Sequence, residues 1–253
     1  MTNPLDRVRQ SWDTKATDWD IQVGEAGDRN RRLNSDPVLW RFLGPVAGRR
    51  ILDAGCGTGY LARQMASGGA QVLAIDLSPE MIRVARSKGG NIEYRECDCG
   101  TLAGVPDGVF DAVVSNYVLM DLPHLGPAVR SMFRVLRPGG IAVAVFSHPC
   151  FSQGNATPVE GTDAVVYRWE QPYYEEHEQL DPPWAHFKTT FIWFHRPLSV
   201  YWRAFRDAGF VVDELDEPHI TPERYPLAPD ERCLRAARTR PFSIAFRLVK
   251  PLG

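Results

Sequence analysis

Ile51-Leu-Asp-Ala-Gly-Cys-Gly-Thr-Gly-Tyr-Leu-Ala-Arg63 decides how the rest of the chain reads. Two apolar residues lead into Asp53, glycines follow at 55, 57 and 59, and a helical pattern starts at once. This predicts a buried parallel strand beginning near Arg50, a tight turn and a helix N-terminus. Glycine serves where the backbone takes unusual dihedrals or where a ligand must approach the main chain. A helix start offers unpaired N–H groups and a positive dipole end, which suits a carboxylate or a phosphate. The spacing is G-x-G-x-G with an acid two residues ahead of it. A dinucleotide turn reads G-x-G-x-x-G, and Tyr60 stands where its third glycine would fall.

Working outward, Gln71-Val-Leu-Ala-Ile-Asp76 reads as the next buried strand. Asp76 ends it about twenty residues past the turn, where a nucleotide-binding α/β sheet places the carboxylate for ribose hydroxyls. Leu77-Ser-Pro-Glu-Met81 opens a helix with Ser78 as N-cap and Pro79 in the first turn; it runs to Lys88 and stops at Gly89-Gly90. Ile92 to Cys97 alternates like a strand and leads to Asp98. Phe110 to Tyr117 is nearly continuous in apolar residues, as a buried parallel strand should be. Asn116, Tyr117 and Met120 fall at or just past its carboxyl end, where open α/β sheets bind ligands, with Asp121 and His124 nearby. A helix over 126–136, the stop Arg137-Pro-Gly-Gly140 and a strand over 141–146 follow.

Asp53-x-Gly55-x-Gly57-x-Gly59 resembles the first motif of the class I S-adenosylmethionine methyltransferases. Leu136-Arg-Pro-Gly-Gly140 before a Val-rich strand is a second hallmark of that family, and the specific motifs span roughly residues 50–147. The resemblance is to a superfamily, in its small-molecule branch. It implies an α/β, Rossmann-like, seven-stranded and mostly parallel sheet with helices on both faces and the last strand antiparallel. It implies S-adenosyl-L-methionine as methyl donor and S-adenosyl-L-homocysteine as product. Asp53, Gly55, Cys56, Gly57 and Gly59 would carry the methionine portion and Asp76 both ribose hydroxyls. Leu77 and Met81 would pack on the adenine, Asp98 would take its amino group, and the Cys99 backbone N–H would reach a ring nitrogen. Asn116 and Tyr117 complete the expected cofactor set. A structural turn in another nucleotide-binding fold, and a merely turn-forming Asp98, are the bland alternatives.

The chain reads as one domain over 1–253. Residues 1–48 form an N-terminal helical cover, 49–147 the cofactor core, 148–198 an inserted lid and 199–253 the C-terminal part of the sheet. In the cover, Val8, Trp12, Ala16 and Trp19 recur at helical spacing. Their pattern resembles the segment that small-molecule methyltransferases fold over the cofactor, although a plain amphipathic helix reads the same way. Residues 24–34 look like a polar, Arg-rich loop or mobile cover, and 37–42 like a helix. Near the C-terminus a helix over 201–208, a strand over 210–215 and a strand over 242–249 read as an antiparallel pair with a short connection. Arg224, Arg232, Arg235, Arg238 and Arg240 make a basic stretch between those strands, a solvated face or a site for an acceptor's anion.

The insertion after the strand at 141–146 is too long for an ordinary connection. It is rich in aromatics, including Tyr173, Trp193 and Phe194, and in acids over 160–181. A small packed core and an acceptor cage are compatible readings. With Trp19 and Met120, Tyr173 and Trp193 are the expected substrate contacts. A hydroxyl acceptor calls for a base. His148, directly after a strand, is the first candidate and His195, where the lid returns, the second. Each has a structural hydrogen-bonding role as its alternative.

A net charge of -2 leaves no basic footprint for nucleic acid. No apolar run reaches membrane-spanning length and no apolar leader opens the chain, so a cytoplasmic location is expected. Cys56, Cys97, Cys99, Cys150 and Cys233 have neither C-x-x-C nor zinc-ligand spacing, so no metal is expected. The expected activity is in-line SN2 methyl transfer to an O or N atom of a small-molecule acceptor. The alternatives are an RNA or protein methyltransferase and a non-methylating S-adenosylmethionine-binding protein. Acceptor and oligomeric state are left open.

Overall fold

Period-two burial along each central strand builds two apolar layers, one on each face of a single sheet. In strand β1 (Arg50–Ala54), Leu52 and Ala54 join one core while Ile51 joins the other. Strands β2 (Gln71–Asp76) and β4 (Phe110–Asn116) divide in the same way, Leu73, Ile75 and Val113 against Val72, Ala74, Ala112 and Val114. Such double burial forces helices onto both faces. Helices α3 (Asp36–Leu43), α4 (Tyr60–Ser67) and α5 (Pro79–Ser87) contribute to one core, through Phe42, Leu61, Met65 and Ile82. Helices α6 (Leu125–Val135) and α7 (Leu198–Asp207) close the other with Val129, Met132, Tyr201 and Phe205. The computed structural model describes residues 3–151, 156–162, 164–228 and 230–253, with the side chains at 156, 158, 232, 233 and 236 outside that description. The Arg232 side chain, and lid positions 152–155 and 163, therefore lie outside the described residues.

With β3 (Glu93–Glu96), β5 (Leu136–Ser147), β10 (Val211–Asp216) and β11 (Ser243–Val249), the sheet has seven strands in the order β10-β11-β5-β4-β1-β2-β3. β1 pairs parallel with β2 and β4, and β11 runs antiparallel between β5 and β10. The Rossmann-like sheet with its antiparallel last strand is the one expected. Two details differ. The connection from β10 to β11 is long, carrying a 3₁₀ helix (Pro222–Leu227) and α8 (Glu231–Thr239). Antiparallel pairing here follows from β11 filling the slot beside β5, not from a tight hairpin. The Pro-Gly-Gly run is also drawn into β5, where the register with β4 slips between Phe110 and Ala112.

The N-terminal pattern forms two helices, α1 (Pro4–Asp13) and α2 (Ala16–Val23), broken at Thr14-Lys15. The insertion after β5 folds as two small antiparallel pairs. These are β6 (Ala156–Pro158) with β7 (Val165–Tyr167), and β8 (His177–Asp181) with β9 (Phe191–His195). An aromatic seam joins insertion to cover: Trp12 lies edge-on to Phe191, Trp19 contacts Phe187, and Arg7 pairs with Glu178. Among the described residues, no helix is long and apolar enough to cross a membrane.

Candidate active site

The carboxyl ends of β1, β2 and β4 open on one side of the sheet, and the glycine turn lies across them. Gly55 and Cys56 donate backbone N–H groups to the Ile75 carbonyl at 2.9 and 2.8 Å, which ties the turn to the end of β2. Gly55 sits at φ +83°, and a Cβ there would meet Val118 Cγ2 at 2.3 Å. Backbone and neighbour both demand glycine at this position. Gly59, at φ +79°, faces the Tyr94 hydroxyl and does not line the cleft.

The cleft this creates is lined by Asp53, Gly55, Cys56, Gly57, Asp76, Leu77, Met81, Asp98, Cys99, Asn116 and Tyr117. Burial pushes the Asp53 carboxyl up to about 7, with neighbouring Asp76 adding to the rise, and one of its oxygens has no partner. Asp76 accepts the Gly57 N–H and the Ser78 N–H, both at 2.9 Å. Burial still outweighs those bonds and raises this carboxyl to about 6. Ser78 also caps α5, accepting from Met81 N at 3.1 Å, which fixes Leu77 and Met81 at the cleft wall. Asp98 accepts from Gly100 N at 2.8 Å, so it closes its own turn while lining the cleft. Both amide atoms of Asn116 are buried without a partner. The Cys56 and Cys99 thiols are pushed well up by burial, and no metal-holding cluster exists among the described residues.

The opposite wall comes from the cover: Val8 and Trp12 of α1, Trp19 and Val23 of α2, and Arg31. Residues 24–34 are therefore not simply a polar loop. A π-helical turn, Arg31–Ser35, buries Arg31, Leu33, Asn34 and Ser35. Asp28 neutralises the guanidinium at 2.6 Å, and the rings of Trp19, Tyr60 and Tyr117 surround it at 5.1–5.5 Å. Its Nε has no partner. Sequence reasoning missed Arg31 and Tyr60 as cleft residues. The one available signal was an arginine between Asp28 and a Leu33 that must be buried. Tyr117 adopts φ +57° and hydrogen-bonds Asn30 at 2.6 Å, and also Ser243, locking cover to sheet.

The histidine assignments need correction. His148 is 2% exposed and absent from the cleft lining. Its Nδ1 accepts the Cys150 N–H at 3.1 Å, so Nε2 carries the proton that it donates to Glu217 at 2.8 Å. A ring with both nitrogens engaged has no lone pair for an acceptor's proton. His195 is buried too, its Nε2 against the Tyr173 carbonyl at 2.8 Å and its ring among Trp169, Tyr173 and His177. Of the expected substrate contacts, only Trp19 lines the cleft. Tyr173 spends its hydroxyl on Leu198 N at 2.9 Å and on the Cys150 thiol, Trp193 pairs in the β8–β9 hairpin, and Met120 accepts Phe194 N at 2.8 Å through its carbonyl. Tyr173 and Trp193 thus belong to the packing of the insertion, where Tyr173 lies edge-on to Trp169, Tyr174 and His195, while Met120 packs against the main core.

His148→Ala is accordingly expected to cost stability and not turnover. Losing two hydrogen bonds in a buried setting costs about 1–3 kcal/mol, read as a fall of roughly 2–10 °C in Tm. Burial lowers the His148 ring below its ordinary range, with Glu217 pulling the other way. The unfolded chain therefore takes up more protons below pH ~6.5, and stability falls as pH drops through that value. That acid sensitivity should shrink in the variant. A variant with an unchanged Tm and collapsed turnover would restore the histidine as a base.

Residues 52–144 match the family model described as a methyltransferase domain. A curated ubiquinone biosynthesis O-methyltransferase of Xanthomonas oryzae pv. oryzae is 43% identical over 99 residues, 38% of this chain and 41% of the relative. A demethylmenaquinone methyltransferase of Tropheryma whipplei is 37% identical over 139 residues, 51% of this chain and 57% of the relative. The chain thus spans less than two thirds of the length of these curated relatives. The crystal structure of an S-adenosylmethionine-dependent methyltransferase from Mesorhizobium loti superposes with a TM-score of 0.72 at 24% identity, covering 89% of this chain and 100% of that one. The matched segment runs from the strand ahead of the glycine turn to the strand beyond Asn116, so residues 52–144 are similar to a methyltransferase domain, and the chain shares the fold of the solved methyltransferase structure.

Proposed function

We propose that this protein is an S-adenosylmethionine-dependent methyltransferase acting on a small-molecule acceptor, with a phenolic oxygen as the favoured target and nitrogen as the alternative. One observation carries the reading. Asp53 Oδ2, both amide atoms of Asn116 and Arg31 Nε are buried without partners, and all three residues line the same cleft. Buried polar groups are left unpaired only at a cost, so a ligand with complementary charge is the natural partner.

S-adenosylmethionine fits that donor set. The Arg31 guanidinium suits its carboxylate, Asp53 and Asn116 its ammonium, and Asp76 its ribose hydroxyls. Leu77 and Met81 offer an apolar wall to the adenine, beside Asp98 and Cys99. Bound there, it supplies a methyl group already activated on a sulfonium. The work left to the chain is to align the acceptor in line with that methyl and to exclude water. Trp12 and Trp19, packed against Phe191 and Phe187, roof the cleft with flat apolar surface suited to an aromatic acceptor. The Xanthomonas relative is an O-methyltransferase, which supports oxygen as the methylated atom.

Calorimetric titration tests this reading. S-adenosylmethionine and S-adenosylhomocysteine should bind with micromolar affinity, and NADH should not bind. Incubation with simple catechols should then release S-adenosylhomocysteine. Binding of NADH alone would overturn the assignment of the cleft. Methyl-donor binding with no turnover on any small molecule, joined by salt-sensitive binding of tRNA, would move the acceptor to nucleic acid.

A further inference from the structure

One carboxyl in the cleft has no role in holding the methyl donor. Asp121 lies beyond the end of β4, 8% exposed, and lines the cleft next to Leu122. No donor among the described residues hydrogen-bonds its carboxyl, and burial holds it well above the ordinary carboxylate range. The backbone around it is pinned from the insertion side. Arg196 donates to the carbonyls of Leu119, Leu122 and Pro123 at 3.5, 2.6 and 3.1 Å, and Phe194 N donates to the Met120 carbonyl. A catalytic group held within a few tenths of an ångström needs support of this kind.

The charge that faces Asp121 is Lys15, at the break between α1 and α2. Lys15 is 2% exposed; its ammonium donates to Ser11 O and Ser11 Oγ at 3.1 and 2.8 Å and lies 5.0 Å from the Phe191 ring centroid. Burial lowers it to about 8, against the pull of Asp121. The other titratable group acting on this carboxyl is Asp76 from β2, and Asp121 in turn pushes up the Tyr201 hydroxyl of α7. A solvated surface lysine would have no reason to be broken out of a helix and buried here.

We propose that Asp121 is the proton acceptor for the acceptor's hydroxyl, and that Lys15 is the positioning residue whose charge opposes the effect of burial and favours the carboxylate form. The inference rests on the methyltransferase reading above. The acceptor oxygen forms the new C–O bond as the S–CH3 bond breaks, and that bond's electron pair stays on sulfur. The hydroxyl proton passes to the Asp121 carboxylate and leaves to water when the cleft opens.

The test uses the full chain loaded with S-adenosylhomocysteine and 4-nitrocatechol, whose phenolate absorbs in the visible. Wild type should bind the probe and raise its apparent pKa, because a carboxylate beside the phenol disfavours a second negative charge. In Asp121→Asn that pKa should fall by about one unit or more. With S-adenosylmethionine, the same variant should lose about 100-fold or more in kcat at unchanged donor affinity. Lys15→Met should move the acid limb of kcat/KM to higher pH, and Lys15→Arg should restore it. Asp121→Glu, with a wild-type Tm, should recover part of the rate and guards against a misfolded asparagine variant. An unchanged probe pKa in Asp121→Asn, or kcat within threefold of wild type, overturns the proposal. So does a wild type that binds S-adenosylmethionine but not the probe. If neither sulfur nucleotide binds, the methyltransferase reading itself has failed.

Discussion

Asp76→Ala is expected to weaken S-adenosylmethionine binding by about 10²- to 10⁴-fold. Two ribose hydroxyls donating to one carboxylate make charge-assisted bonds worth about 1.5–3 kcal/mol each, and each ~1.4 kcal/mol is a factor of ten. The side chain also accepts the Gly57 and Ser78 N–H groups, so its loss loosens the glycine turn and the α5 cap together. Asp76→Asn, of the same shape with one acceptor oxygen, should lie between alanine and wild type. Because burial raises the Asp76 carboxyl to about 6, wild-type affinity should decline as pH falls below that value, and this limb should flatten in the alanine variant. Titration calorimetry across pH measures both. Alanine-variant affinity within threefold of wild type would falsify the ribose assignment.

Gly55→Ala is expected to be the most damaging single methyl addition in the turn. A left-handed backbone costs a non-glycine residue about 1–2 kcal/mol. The added Cβ would lie 2.3 Å from Val118 Cγ2, and overpacking of that kind costs about 1–3 kcal/mol. Together they predict a Tm lower by roughly 5–15 °C and a collapse of donor binding, because Gly55 and Val118 both line the cleft. The double variant Gly55→Ala, Val118→Ala separates the causes. Removing the valine methyls should recover the steric part of the loss and leave the backbone part. A double variant no more stable than the single one would show that the clash is not the cause.

The sheet and the near wall of the cleft were legible in the chain because both are written in local pattern. Continuous apolar runs ending in Asp53, Asp76 and Asn116 mark parallel strands, and glycines 55, 57 and 59 mark a turn that few other residues can make. Strand ends and the turns that follow them converge by the topology of a parallel sheet, so position in sequence becomes position in space. Arg31, Lys15 and Asp121 carry no such local mark. Each is an ordinary polar residue in sequence, and only long-range packing against Trp19, Phe191 and the Arg196-pinned segment buries it. His148 misled for the converse reason. It follows a strand as a base might, yet Glu217, sixty-nine residues away, occupies its Nε2. By itself the sequence determined the Rossmann-like sheet and the edge at which a ligand would sit. Only the tertiary structure decided which charged groups face the cleft, because that depends on which distant side chains are near enough to compensate the loss of water.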